Sequence, residues 1–224
     1  MIPLLVKFAT RQRPDRFRTA LELLVHNTWR PKDLHFLFTL DEDDSDAQRN
    51  IDVINAILPV DGRTIVIGRS ESKIDAVNRD ILSYSGQWKT VIVASDDMHA
   101  TPNWDHWVIE AMREFYPDGD GCLWFGDGFQ KDICTIPCMG RAEYDRLGYI
   151  YNPLYKSVFA DDEQTHAAFA LGKMTKIDHV LFKHDHPAWN NALKPDALYQ
   201  RNEAPAVWAH DEAIYRQRKA AGFP

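Results

Sequence analysis

Residues 91–104, VIVASDDMHATPNW, run from apolar and β-branched positions directly into two adjacent carboxylates, Asp96 and Asp97. Val, Ile and Val in succession favour a buried strand. Thr101 and Pro102, followed by Trp104, Trp107, Val108, Ala111, Met112 and Phe115 at helical spacing, predict an amphipathic helix. The acidic pair therefore belongs to a loop at the carboxyl end of a strand.

The same sequence of strand, charged loop and helix precedes it three times. IPLLVKFA leads through TRQRP to Phe17, Ala20, Leu21, Leu24 and Val25; LHFLFTL leads through DEDDSD to Ile51, Ile54, Ile57 and Leu58; TIVIG leads through RSES to Ile74, Val77, Ile81 and Leu82. Such repetition predicts an α/β fold whose mostly parallel, Rossmann-like sheet is flanked by helices, with ligands in the crevice outside the strands' carboxyl ends. From residue 117 short strand-like runs and turn signals replace the βα units, so this half reads as α+β. Helices there are expected from Arg141 to Gly148, over DDEQTHAAFALGK, and near HDEAIYRQRKAAG. With no linker or repeat, residues 1–224 are expected to form a single domain, in which 1–116 is a ligand-binding half and 117–224 completes the site.

The 224 residues are 45% hydrophobic, ample for a packed core, and the net charge of −7 provides no general field for nucleic acid or anionic membranes. Three cysteines do not make a disulfide framework, and Cys134 with Cys138 lacks zinc-site spacing; all three read as packed, reduced thiols. The opening MIPLLVKFAT is too short to span a bilayer and lacks a signal peptide's charged start, so a soluble cytoplasmic protein is expected.

Adjacent carboxylates repel unless a cation or hydrogen bonds compensate, which makes a divalent ion with oxygen ligands one natural partner of Asp96 and Asp97; a solvated turn is the other reading. In the first loop Thr10, Arg11 and Arg13 offer guanidinium forks for phosphate or a base. In the second, Asp41 or Asp43 could hold ribose hydroxyls, although acids before a helix also complement its dipole. Asn78, a polar amide on the apolar face 74–82, either bonds to backbone or joins Lys73 at a nucleotide diphosphate. Asp161, Asp162 and Glu163 suit a helix start but could also supply a proton-accepting carboxylate. His184 and His186, two apart, could reach a metal from an extended segment.

Taken in order, LLVKFATRQRPDRF, GRSESKIDAVNRDI, SDDMHATPNWD, GYIYNPLYKSVFADDEQ and HDHPAWNNALKPDALY resemble the GT-A glycosyltransferases, close to the family-two-like group. The resemblance covers nearly the whole chain and rests on order and spacing. It implies a GT-A (nucleotide-diphospho-sugar transferase) fold and transfer of a sugar from a nucleotide-diphosphate sugar to an acceptor hydroxyl, assisted by Mn²⁺ or Mg²⁺. By position, Thr10, Arg11, Arg13 and Asp41 would serve the nucleotide, and Lys73 and Asn78 the ribose or diphosphate. The family's Asp-X-Asp motif stands here as Ser95-Asp96-Asp97, a serine replacing the usual first acid. Asp97 would then bind the metal, with His184 and His186 as further candidate ligands, and Ser95 and Asp96 would face the donor. Asp162 or Asp161 would be the base of an inverting reaction. The acceptor would be a small molecule, a glycan or, as in small soluble bacteriophage relatives, a modified base in DNA. A nucleotidyltransferase, which should carry a glycine-rich first loop, and a catalytically silent nucleotide-sugar-binding protein are the alternatives.

Overall fold

The structure, a computed structural model, describes residues 1–187, 189–190 and 193–223. Four βα units form its first half: β1 (Ile2–Thr10), α1 (Pro14–His26), β2 (Leu34–Asp41), α2 (Ala47–Ile57), β3 (Arg63–Gly68), α3 (Lys73–Asn78), β4 (Trp88–Ala94) and, after a short β5 (Met98–Ala100), α4 (Trp104–Phe115). The second half adds β6 (Cys122–Gly126), β7 (Pro137–Gly140), α5 (Arg141–Leu147), α6 (Ala160–Ala170), β8 (Met174–Val180), β9 (Phe182–His184), α7 (Ala197–Asn202) and α8 (Pro205–Ala220). Seven strands make one sheet in the order β3-β2-β1-β4-β7-β6-β8, and β5 pairs with β9 apart from it.

β1 is parallel to both β2 and β4, and β2 to β3. β7 runs against β4 and β6, while β8 is parallel to β6, so the sheet is mixed but mostly parallel. Every residue of β2 is buried, as expected for a strand covered on both faces. Along β1, Leu4, Val6 and Phe8 enter one core with Phe17, Phe38, Val108 and Met112. Leu5 enters the other with Leu37, Val91, Tyr144 and Ala168. Phe8 meets Phe17 edge-on at 4.9 Å between ring centroids, which closes α1 on the sheet. The chain proceeds outward from β1 to β2 and β3, then returns to β4 on β1's other side. The loops after β1 and β4 consequently diverge above the sheet and leave a crevice between them.

Two predicted helices differ from the sequence pattern. α3 ends at Asn78, because Asp80 takes a left-handed φ of 71° and starts a separate turn in which Ile81 is buried but Leu82 is 70% exposed. In α4 the buried face is Trp104, Asp105, Val108, Ile109 and Met112, which turns Trp107 and Phe115 to solvent. That rotation follows from Asp105, whose buried carboxylate accepts the backbone N–H groups of Trp29 at 2.8 Å and Arg30 at 2.7 Å. The three cysteines are buried thiols. Among the described residues no helix is long and apolar enough to cross a membrane.

Candidate active site

A cleft of about 730 Å³ opens at the carboxyl ends of β1, β2 and β4. Thr10, Arg11, Arg13, Asp41, Lys73, Ser95, Asp96, Asp97, Asp161, Asp162, His184 and His186 all line it. Asn78 does not. Its Nδ2 donates to the Tyr151 carbonyl at 2.6 Å and its Oδ1 accepts from the Ile150 and Tyr151 N–H groups at 3.0 Å, so the amide ties α3 to the loop before α6. Of the two readings of Asn78, the bonds to backbone are the ones the structure contains.

At one end of the cleft the loop after β1 turns sharply. Gln12 and Arg13 both take left-handed φ values, 57° and 51°, a conformation non-glycine residues hold only where the surroundings enforce it. Here the Gln12 N–H donates to Asp44 at 2.8 Å, and the Arg13 guanidinium grips Asp196 through Nε and Nη2, each at 2.5 Å. Arg13 also reaches Asp96 at 3.4 Å. Arg11 donates to Asp41 at 3.0 Å and to Asp43. Below them Arg79, which the sequence did not single out, bonds the Leu40 carbonyl and Ser70 and lies 3.6 Å from Asp41. Three buried polar atoms here, Thr10 Oγ1, Arg11 Nε and Asp41 Oδ1, have no hydrogen-bond partner among the described residues. Unsatisfied groups of that kind at a cleft wall are what a polar ligand would complete.

In the middle, β9 pairs His184 with Met98 of β5, next in sequence to Asp97, and the Asp185 N–H donates to the Asp97 carbonyl at 2.7 Å. His184 Nε2 is 3.7 Å from Asp97 Oδ2, and its Nδ1 is 3.1 Å from Asp127 Oδ2. Asp127 is buried and accepts in addition from the Phe129 and Gln130 N–H groups and the Thr135 hydroxyl, at 2.8, 2.7 and 3.1 Å. An ionised carboxylate only accepts, so Nδ1 carries the proton and Nε2 is directed at Asp97, the arrangement that orients metal-bound imidazoles. Nothing in GDG, which reads as a turn, announced Asp127.

Burial raises the pKa of Asp97, but the His184 imidazole, the Ser95 hydroxyl and the Lys73 charge outweigh it and hold the carboxyl below its usual range. Asp96 moves the other way, raised by burial and by the charge of Asp97 against the opposing pull of Arg13. Burial lowers His184, yet its two carboxylate partners raise it further. Asp97 Oδ2 and His184 Nε2, 3.7 Å apart, are an oxygen and a nitrogen that a divalent ion such as Mg²⁺ or Mn²⁺ could take as ligands. Among the described residues no group of three His, Cys, Asp or Glu side chains could hold a metal ion. The other candidate, His186, has its ring 5.1 Å from that of His184 and its Nε2 3.8 Å from Glu203, and packs against Trp189 and Tyr199.

At the far end, Asp161 and Asp162 open α6 behind Phe159, another left-handed residue at φ 61°. Burial and the neighbouring acid raise Asp161, with Lys73 opposing; burial raises Asp162, with His166 opposing. Trp208 of α8 stands edge-on to Phe159 at 5.3 Å and lines the same end. Glu163 belongs to the core instead, bonded to Tyr155 and Arg218 at 2.7 Å.

The strand order, the crevice and the helices on both faces define a GT-A fold, that of the nucleotide-diphospho-sugar transferases. The mannosyltransferase PcManGT from Pyrobaculum calidifontis, in complex with GDP-Man and Mn²⁺, superposes with a TM-score of 0.63 at 14% identity over 100% of this chain and 77% of its own. TarS 1-349 of S. aureus gives 0.62 at 12% identity over 83% of this chain. The same protein in complex with UDP-GlcNAc gives 0.60 at 11%. The chain spans 61% of the length of TarS 1-349 and 37% of that of the longer TarS structure. No protein-family model and no curated protein matches it.

Proposed function

We propose that the protein is a glycosyltransferase that moves a hexosyl or pentosyl group from a nucleotide diphosphate to an acceptor hydroxyl with the help of a divalent metal. One observation carries this reading: a single cleft joins three buried polar atoms that lack a hydrogen-bond partner among the described residues, at its β1–β2 end, to the Asp97–His184 pair and then to Asp161 and Asp162. Thr10, Arg11, Arg13 and Asp41 receive the nucleoside, and Asp41 Oδ1 accepts an N–H of the base or a ribose hydroxyl. Lys73 and Ser95 face the diphosphate, and Asp96 the ribose or sugar. Mn²⁺ or Mg²⁺, held by Asp97 and His184, would neutralise the charge developing on the leaving diphosphate. In an inverting reaction Asp162, with Asp161 beside it, takes the acceptor proton as the acceptor oxygen bonds to the anomeric carbon. The bond from that carbon to the diphosphate breaks, and its electron pair leaves on the phosphate oxygen.

Residues 1–116 supply most of the donor site in this reading, and 117–224 supply Asp127, His184 and the acceptor side. Trp208 and Phe159 offer aromatic faces to a glycan, a small molecule or a modified DNA base of a bacteriophage. The reaction is assigned to the cytoplasm, where nucleotide sugars are available. The test is incubation with UDP- and GDP-linked sugars and Mn²⁺, reading release of nucleoside diphosphate. Pyrophosphate release from a nucleoside triphosphate would identify a nucleotidyltransferase instead, and donor binding without turnover an inert binding protein. Failure to bind or turn over any sugar donor would remove the reading. Asp97→Ala is expected to abolish Mn²⁺-dependent donor binding with the fold intact, as read by calorimetry and circular dichroism.

A further inference from the structure

Asp211, in the middle of α8, is a fully buried carboxylate that no part of the proposed chemistry uses. It accepts three consecutive backbone N–H groups from the loop before α6: Lys156 on Oδ1 at 3.0 Å, and Ser157 and Val158 on Oδ2 at 2.8 and 2.9 Å. His210 Nδ1 lies 2.8 Å from the same Oδ1. A buried carboxylate with this many partners is firmly held, and it holds them in turn. The gripped residues occupy a junction. The Lys156 carbonyl accepts the Ile74 N–H at 3.2 Å at the start of α3, next to Lys73, while Ser157 and Val158 line the cleft. Phe159, in its left-handed conformation, and then Asp161 and Asp162 follow within four residues.

We propose that Asp211 is a positioning residue: by clamping the 156–158 backbone it fixes the carboxylates at the start of α6 relative to Lys73 on the donor side. The proposal rests on the glycosyltransferase reading above, because it assigns a task to the distance between the donor's diphosphate and the proton-accepting acid. An Asn at 211 keeps the shape but replaces one accepting oxygen with a donor, which must face an N–H or an imidazole and so releases part of the clamp. A displacement on the ångström scale is enough to lower the rate of an oriented reaction substantially.

The experiment compares wild-type protein, Asp211→Asn and Asp105→Asn in steady-state transfer, with nucleotide titration and thermal unfolding alongside. Asp105 is the matched control, equally buried and likewise gripping consecutive backbone N–H groups, but in the loop between α1 and β2. Asp211→Asn is expected to lower kcat about 10- to 100-fold with the donor KM and nucleotide Kd within about twofold. Asp105→Asn is expected to leave kcat near wild type at a comparable loss of Tm. Equal kcat losses in the two variants, or an undisturbed kcat in folded Asp211→Asn, overturn the proposal. Hydrogen exchange on wild-type protein supplies a readout that needs no variant: the amides of residues 156–158 should exchange as slowly as those of the central strands, and exchange at the rate of exposed loops overturns the clamp. A wild-type protein inert toward every nucleotide sugar defeats the glycosyltransferase reading itself, which normal turnover alongside an unaffected Asp211→Asn does not.

Discussion

A histidine held between two carboxylates has its ring direction and its tautomer decided by the partner that is better buried, and for His184 that partner is Asp127. Asp127→Asn should therefore weaken Mn²⁺-dependent donor binding about 10- to 100-fold. Binding of the nucleotide without metal should be unchanged, and titrations with and without Mn²⁺ compare the two. The raised pKa of Asp162 has its own signature. A base must be deprotonated to act, so kcat should climb with pH along an acid limb lying above the ordinary Asp value of about 3.9, and Asp162→Asn should lose both the limb and most of the activity. At this scale the sequence disclosed residues whose types clash with their surroundings. Asp96 and Asp97 interrupt an apolar run, and Arg11 and Arg13 crowd a short loop. Asp127, Asp211 and Arg79 stayed hidden, because a GDG turn, a helix acid and a helix-end arginine are each unremarkable until distant backbone closes around them.

Among the elements, the four βα units were legible because buried parallel strands and amphipathic helices have different periods. The shortening of α3 was not. Asn78 looked like a polar intruder on a longer helix, whereas it stands at the helix's end and satisfies backbone groups 72 and 73 residues away. Asn78→Ala leaves two N–H groups and one carbonyl without this partner. Denaturant unfolding should show a loss of about 2–3 kcal/mol, with nucleotide affinity retained, which separates a structural tie from a ligand contact. β8 escaped notice because alternate residues of MTKIDHV are exposed at the sheet's edge, and β9 because three residues have no period.

For the molecule as a whole, a lysine lies buried at the centre of the sheet. Lys7 on β1 is fully buried, donates to Thr39 and to the Arg79 carbonyl at 2.7 Å, and has its pKa lowered to about 7, chiefly by burial, with Asp80 opposing. Unfolded, the same amine titrates near 10.4. Between these values the unfolded chain binds the extra proton, so Lys7 makes stability rise with pH from about 7 towards 10. Lys7→Met should remove that rise, seen as a flatter dependence of the denaturation midpoint on pH. The apolar pattern that predicts β1 passes over this residue, since a lysine within a strand ordinarily marks a solvent-facing position.

The carboxylate of Asp211 also sets an order in time. A ribosome releases the strands of the donor side first, and they can pair while later residues are still being joined. The backbone at 156–158 emerges next and has nothing to close on until α8 follows more than fifty residues later. A nascent chain halted before residue 211 would carry every residue assigned here to the donor and to the proton, yet lack the clamp that aligns them. On the proposed reading, such a chain would keep the residues assigned to the nucleotide but lack the contact that sets Asp161 and Asp162 against them.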